Sequence, residues 1–326
     1  MKKLTTIILT IITICVFSLV GCKKTSEIAI YAPDGAPALA LSSIMKQNLE
    51  NVSVNIIGSD KIQSVVTGDS KKADVCILPI NMASNLIGSG SDYKMLGTIT
   101  HGNFYFLSKN EMVVNVNNLS LLKGEVVGVL QLKNVPGLTL KAVLNKNNVE
   151  YKEIADASEK EPTKVNLMAI NKVEATRKDV DLFLIPSPQA DNVEKNTSLK
   201  IVGSLGELYS ENGFPQAIVV AKKSVIEKNA KSLKEIVSHL TTVNTYFKEE
   251  NIIEVCSLIE SKLESGLTPT FNKTNLTVDS IDRSNISFVS MVECKEQVEE
   301  FIDLLISVEP NSVKKFNSDF YYLGEL

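Results

Sequence analysis

The chain has 326 residues and carries 34 lysine and arginine residues against 38 aspartate and glutamate residues, a net charge of −4 at pH 7. This mild acidity argues against a nucleic-acid partner, because such a partner needs a basic protein surface. Five cysteines in a chain of this length do not form the dense framework of a small disulfide-stabilised domain.

The N-terminus has the layout of a lipoprotein signal peptide. Two lysines follow Met1, an apolar stretch continues to residue 20, and residues 19–22 read Leu-Val-Gly-Cys. The stretch is short for a membrane span. An ordinary secretory signal with a chance cysteine is the alternative. We predict that residues 1–21 are removed, that Cys22 carries lipid, and that residues 22–27 tether the protein to the extracytoplasmic side of the cell membrane.

Three further cysteines remain once the signal is cut and Cys22 is lipidated. Cys76 lies in an apolar run and is predicted to be a buried core residue. Cys256 and Cys294 could pair with each other or stay free, and an odd number leaves at least one thiol unpaired.

Residues 28–98 alternate strands with helices. The continuous apolar run at 73–78 is typical of a strand buried on both faces of a parallel sheet. Repeated strand–helix units predict right-handed crossovers and parallel pairing. Strands are predicted at 28–31, 52–57, 73–78 and 93–98, and helices from Pro37 to about Leu49 and over 82–87.

A second series of the same kind follows from residue 104, and it echoes the first. Residues 74–79 and 181–186 each read as an aspartate, four apolar residues and a proline. Two similar α/β lobes are the simplest interpretation. Strands of the second series are predicted at 104–107, 126–130, 151–154, 181–185 and 200–202, with a helix that ends near Asn145.

The remainder of the chain is mostly helical. A strand is predicted at 217–221, and helices within 224–250, 252–263 and 294–307. Because this tail contributes no sheet of its own, it must pack on an existing lobe.

Five segments carry a similarity to a known family. They read Tyr-Ala-Pro-Asp-Gly-Ala-Pro-Ala-Leu-Ala at 31–40, Leu-Pro-Ile-Asn-Met-Ala-Ser at 78–84, Leu-Gly-Thr-Ile-Thr-His-Gly-Asn at 96–103, Gly-Phe-Pro-Gln-Ala at 213–217 and Asn-Ile-Ser-Phe-Val-Ser at 285–290. On these segments the chain resembles the substrate-binding lipoproteins of ABC importers in the nitrate/sulfonate/taurine and thiamine-precursor superfamily. The similarity spans nearly the whole chain after Cys22, and the superfamily carries many different small molecules.

The resemblance implies a two-lobed type II periplasmic-binding-protein fold. Each lobe is expected to be a mostly parallel sheet flanked by helices, with hinge strands near 103–106 and 214–217. Lobe one is then discontinuous, formed by residues 28–103 and 217–326, and residues 104–216 form lobe two.

Ligands in open α/β sheets bind beyond the carboxyl ends of strands, where helix N-termini present free N–H groups that suit anions. In lobe one, Asp34, Gly35 and Ala36 follow the first strand, and Asn81 and Met82 follow the third. Asp34 either contacts the ligand, by accepting a hydrogen bond or pairing with a cationic group, or caps a tight turn locally. Asn81 either contacts the ligand or serves as an N-cap.

The remaining candidates lie at the crossings and in lobe two. His101 and Asn103 sit just before the first crossing, and a structural histidine is the alternative for His101. Thr139 either caps its helix or binds an oxyanion, and Phe214 and Gln216 would close the floor of the cleft. The full second set is His101, Asn103, Gly137, Leu138, Thr139, Ser187, Gln189, Phe214 and Gln216.

These patterns predict a binding protein without metal or cofactor. The sequence has two histidines and lacks both clustered metal ligands and the G-x-S-x-G, H-E-x-x-H and Walker motifs. The predicted partners are a small anion or polar heterocycle, an ABC permease and the membrane. The alternatives are an enzyme of pyrimidine-precursor synthesis on the same fold, and a sensor or adhesin that serves no transporter.

Overall fold

The computed structural model describes residues 27–68, 71–86 and 91–325. The predicted signal peptide, Cys22 and all but the last residue of the predicted tether lie outside these residues. No helix within the described ranges is long and apolar enough to cross a membrane.

The strands are rich in valine and isoleucine, whose branched side chains suit a buried pleated surface. They are β1 (Ile28–Pro33), β2 (Val52–Ile57), β3 (Val75–Pro79), β4 (Tyr93–His101), β5 (Phe104–Ser108), β6 (Val126–Leu130), β7 (Tyr151–Ile154), β8 (Val165–Ile170), β9 (Leu182–Pro186), β10 (Lys200–Ser204), β11 (Pro215–Lys222) and β12 (Ile286–Ser290).

The α-helices are α1 (Ala36–Ala40), α2 (Ser42–Gln47), α3 (Ile62–Val66), α4 (Ile80–Leu86), α5 (Val135–Lys146), α6 (Gln189–Asn196), α7 (Leu205–Tyr209), α8 (Lys223–Lys228), α9 (Ala230–Thr242), α10 (Ile252–Glu260), α11 (Val278–Asp282) and α12 (Met291–Val308). Short 3-10 helices lie at Ser59–Lys61, Leu119–Leu122, Ala157–Glu159, Val243–Tyr246, Glu249–Asn251 and Ser318–Phe320.

The described strands form two six-stranded sheets, and the two-lobed α/β fold is confirmed. The first sheet has the order β12-β4-β11-β3-β1-β2, and the second has the order β10-β5-β9-β6-β8-β7. All strands of the second sheet come from residues 104–204. The domain boundaries of the sequence analysis remain a prediction.

The sheets are mixed rather than mostly parallel. In the first sheet, β1 is parallel to β2 and β3, whereas β11 is antiparallel to β3 and β4, and β12 is antiparallel to β4. In the second, β5 is antiparallel to β9 and β10, and the other pairings are parallel. A strand covered on both faces is apolar in either direction, so its composition does not reveal how it runs.

The echo between residues 74–79 and 181–186 corresponds to a shared local structure. The Asp74 carboxylate accepts the Ala29 N–H at 3.0 Å, and the Asp181 carboxylate accepts the Val126 N–H at 2.7 Å. Each aspartate therefore joins the start of its own strand to the start of the neighbouring parallel strand. The prolines end both strands on the side of the sheet where the loops carry polar residues.

The two segments that cross between the sheets pack tightly on each other. Gly102 and Gly213 both have a φ of 68°. A Cβ on Gly102 would lie 2.7 Å from the Phe214 ring, and a Cβ on Gly213 would lie 2.3 Å from the His101 carbonyl oxygen. Only glycine combines this conformation with such a close approach.

The C-terminal helix α12 packs on both halves of the molecule. A capping box between Ser290 and Glu293 fixes its N-terminus. Val298, Phe301 and Leu305 are buried at helical spacing and pack in a cluster that includes residues of both sheets. The helix contacts β4 of the first sheet and α5 beside the second, so the tail docks on existing lobes.

The described cysteines are free and buried. They are Cys76, Cys256 and Cys294, so Cys76 is a core residue as predicted, and Cys256 and Cys294 do not pair. Burial raises the pKa of the Cys76 thiol well above its usual range and that of Cys256 to about 11.

Candidate functional site

A cleft with a volume of about 670 Å³ lies where strand ends of the two sheets meet. Its walls are the loops that follow β1, β2 and β3 in the first sheet and β6 and β9 in the second. The crossing segments complete it. The lining residues are Pro33–Pro37, Ser59, Asp60, Gln63, Pro79, Asn81, Met82, Asn85, Asn103, Phe104, Leu130, Gln131, Asn134–Pro136, Pro186–Gln189, Gln216, Ala217 and Thr270.

The loop after β1 presents Asp34, Gly35 and Ala36 to the cleft. Gly35 has a φ of 98°, with open space where a Cβ would point. The Asp34 carboxylate accepts the N–H of Gly35 at 2.8 Å and the N–H of Thr270 at 2.6 Å. Asp34 therefore makes the local turn contact considered from the sequence and also lines the cleft.

Asn81 links the two walls of the cleft. It lies in the first turn of α4 and is 7% exposed. Its Nδ2 donates to Asn134 Oδ1 at 3.2 Å, and Asn134 is the residue before α5. Because Asn134 makes no side-chain cap to that helix, its amide is free to serve this contact. Met82, the next residue of α4, is half-buried in the lining.

Asn103 holds both crossing segments and the loop after β9. Its backbone N–H donates to Gln216 Oε1 at 3.0 Å, and its Nδ2 donates to the Ser187 carbonyl at 2.8 Å. The Ser187 N–H donates back to the Asn103 carbonyl at 2.8 Å. Asn103 is 1% exposed, and its Oδ1 is buried with no hydrogen-bond partner among the described residues.

Ser187 and Gln189 line the opposite wall. The Ser187 hydroxyl lies within hydrogen-bond distance of the Asp191 carboxylate and, at 3.0 Å, of the Ser280 carbonyl. Asp191 also pairs with Arg283 at 2.5 Å. The Ser187 hydroxyl thus joins the loop after β9 to the segment before β12. The Gln189 side chain is more accessible than that of Ser187.

His101 does not line the cleft. It is 5% exposed, and its Nε2 lies 2.9 Å from the Ser287 carbonyl oxygen. Burial lowers the pKa of His101, and the hydrogen bond to Ser287 opposes this shift in part. The structure therefore gives His101 the structural role that the sequence left open as the alternative.

Gly137, Leu138 and Thr139 are buried within α5 rather than exposed in the cleft. A Cβ on Gly137 would lie 1.8 Å from the Leu132 carbonyl oxygen, so this glycine permits a close contact between the helix and the preceding loop. The part of α5 that reaches the cleft is its start, at Val135 and Pro136.

Phe214 is also absent from the lining. Its ring is fully buried and stacks on Phe301 at 5.4 Å between centroids, with Tyr209 edge-on at 5.7 Å. It packs the core below the crossing, where its apolar surface is removed from water.

Several lining residues were not singled out from the sequence. Asp60 and Gln63 follow β2, and Gln131 and Asn134 follow β6. Ligands bind beyond the carboxyl ends of strands, and applying this rule to every strand identifies these residues. Thr270 had no such signal, because a long loop brings it to the cleft from a distant part of the chain.

The lining is rich in amides and poor in charge. Among the described residues, its charged side chains are Asp34 and Asp60, and lysine, arginine and histidine are absent from it. Within the same ranges, no group of three or more histidine, cysteine or acidic side chains is placed to hold a metal ion. The side-chain amides are Gln63, Asn81, Asn85, Asn103, Gln131, Asn134, Gln189 and Gln216.

The fold is shared with solved structures of transport proteins. An ABC transporter from Parabacteroides distasonis is 19% identical to this chain and has a TM-score of 0.67. The aligned region covers 91% of this chain and 99% of the transporter chain. The ligand-binding component of an ABC-type import system from Staphylococcus aureus, with zinc bound, is 10% identical and has a TM-score of 0.61. The aligned region covers 91% of this chain and 97% of that component. The periplasmic aliphatic sulphonate-binding protein of Escherichia coli is 13% identical and has a TM-score of 0.60. The aligned region covers 92% of this chain and 94% of that protein.

No protein-family model matches the sequence, and no curated protein matches it. The similarity is thus one of fold.

Proposed function

We propose that the chain is an extracytoplasmic solute-binding protein that captures a small molecule in the cleft and delivers it to an ABC importer. The cleft supports this most directly, because loops of both sheets line it and polar groups converge there from several segments. Sites of this shape and size bind small organic ligands. The fold shared with a ligand-binding component of an ABC-type import system adds support.

In this proposal, residues 28–103 with 217–326 form one lobe, residues 104–216 form the other, and the lobes move about the two crossings. Closure brings the walls together and commits the ligand to transport. The bond from Asn81 to Asn134 already joins the two walls in the arrangement described above, and further opening of the cleft would break it. The contacts of Asn103 lie at the crossing and stay in place during the motion.

The proposed binding role involves no catalysis. The titratable side chains of the lining are two aspartates within the described ranges. A pyrimidine-precursor synthase would need clustered histidines or a reactive cysteine at the site. Cys76 is buried with a raised pKa, and a thiol in that state is a poor nucleophile.

A thermal-shift screen of the full chain in detergent tests the capture of a solute. The panel contains sulfonates, nitrate, thiamine precursors, flavins and amino acids. A ligand at 100 times its Kd stabilises the folded state by about 2.7 kcal/mol. We expect at least one compound to raise the Tm of the wild type and to act less on Asn81→Ala. A panel in which no compound raises the Tm would contradict the proposal.

Lipid attachment at Cys22 is tested by fractionation of cells. We expect Cys22→Ser to lose the lipid and to leave the membrane fraction, because the thiol is the site of attachment. Cys15→Ser, a matched change within the signal peptide, should remain with the membrane. Equal membrane retention of Cys22→Ser and the wild type would refute the anchor.

A further inference from the structure

The charge of the cleft indicates which ligands it accepts. Its described charged side chains, Asp34 and Asp60, are both acidic, and Asp60 is exposed. An anion moved from water into this cleft would lose hydration and would meet carboxylates instead of a neutralising cation. The lining therefore disfavours the anion that helix N-termini alone would suggest.

The backbone donors that could hold an anion are partly taken by the protein itself. The Asp34 carboxylate accepts the N–H groups of Gly35 and Thr270 at the first loop. Near the start of α5, Pro136 has no N–H, and the Leu138 N–H donates to the Asn134 carbonyl. The carboxylate of Asp34 thus occupies donors that a bound oxyanion would need.

The buried Asn103 side chain favours a ligand that donates hydrogen bonds. Its Nδ2 is engaged with the Ser187 carbonyl at 2.8 Å, which fixes the orientation of the amide. Its Oδ1 is left buried without a donor among the described residues. Because this atom is also closed to water, a ligand N–H or O–H reaches it only if the Asn103 side chain shifts. Nitrate and sulfonate carry no donor hydrogen at neutral pH and could not satisfy it in any arrangement.

The lining also has an apolar part. Met82, Phe104, Leu130 and Val135 contribute to it, and a volume of about 670 Å³ exceeds what an inorganic ion fills. Sites with this mixture bind organic molecules that bury a ring or an alkyl portion and orient it with a few polar contacts.

We propose that the cleft selects a neutral or cationic organic solute with N–H or O–H donors on a partly apolar skeleton, and that it rejects anions. This inference rests on the proposed function and sharpens it. It replaces the small anion expected from the sequence and keeps the polar heterocycle.

A retention experiment with the full chain in detergent tests this inference. The protein is incubated with a yeast metabolite extract, washed and denatured, and mass spectrometry identifies the released compounds. The control is a variant with Gln63→Trp and Gln189→Trp, which places one bulky ring on each wall. Asn85→Trp, at a lining position that is exposed, replaces this control if the double variant does not fold.

We expect at least tenfold greater retention of neutral or cationic donors on the wild type than on the blocked variant. Retention of an anion would overturn the inference and leave the capture function intact. Retention of no compound would overturn the capture function, and the inference with it. Sodium ethanesulfonate or sodium nitrate should displace no more of the retained solute than sodium chloride at equal ionic strength; selective displacement would overturn the inference.

Discussion

The bond between Asn81 and Asn134 makes a measurable prediction about how the walls of the cleft are held together. The donor–acceptor distance is 3.2 Å, at the long end of the normal range, and Asn134 is exposed to water. We therefore expect a coupling free energy of about 0.5–1 kcal/mol, the low end for a neutral hydrogen bond. Urea unfolding of Asn81→Ala, Asn134→Ala and the double variant, without ligand, measures this coupling.

Asn85→Ala provides the matched control, because Asn85 is on the same helix but its Nδ2 donates to the Ser312 carbonyl at 2.7 Å. A cycle of Asn85→Ala with Asn134→Ala should show no coupling beyond error. Additive effects of Asn81→Ala and Asn134→Ala would show that the two amides do not interact, and would remove the proposed closure contact. Once a solute is identified, a greater loss of affinity in Asn81→Ala than in Asn134→Ala would indicate that Asn81 also contacts it.

Two further predictions concern the crossing. In urea unfolding, Gly102→Ala should destabilise the protein by about 1–3 kcal/mol more than Gly266→Ala. Both glycines have a positive φ, but only a Cβ on Gly102 would clash with Phe214. Equal effects would contradict the close packing at the crossing. Burial lowers the pKa of His101, so the unfolded chain binds the proton more readily and stability falls as the pH drops below about 6.5. His101→Gln should reduce the pH dependence of stability between pH 7 and 5; an unchanged slope in this variant would refute the reasoning.

The sequence was informative where a strand stops and the chain turns toward the cleft. The apolar run that ends at Pro79 and the run that ends at Pro186 both marked their following loops, and Asn81 and Ser187 do line the cleft. Nine of the proposed ligand-binding residues lie in the lining: Asp34, Gly35, Ala36, Asn81, Met82, Asn103, Ser187, Gln189 and Gln216. Contact between these residues and a ligand remains a prediction.

Other features depend on contacts that local sequence does not encode. The sequence marks Gly137 as a candidate binding residue where a helix opens, but this glycine is needed because α5 lies against the Leu132 carbonyl. Phe214 lies in the crossing segment that brings Gln216 to the cleft, yet its ring packs on Phe301, a residue of the distant C-terminal helix. The direction of β11 was likewise set by how the chain returns from the second sheet, and not by its composition.

The shielding of the three cysteines among the described residues favours site-specific labelling of this part of the protein. Cys76, Cys256 and Cys294 are buried, and burial raises the pKa of Cys256 to about 11; thiol reagents act on accessible thiolates. Cysteines introduced at Asn85 and Gln131, which are exposed on opposite walls, would therefore accept a donor and an acceptor fluorophore ahead of these three residues. Energy transfer between the two dyes would then follow the opening and closing of single molecules in real time.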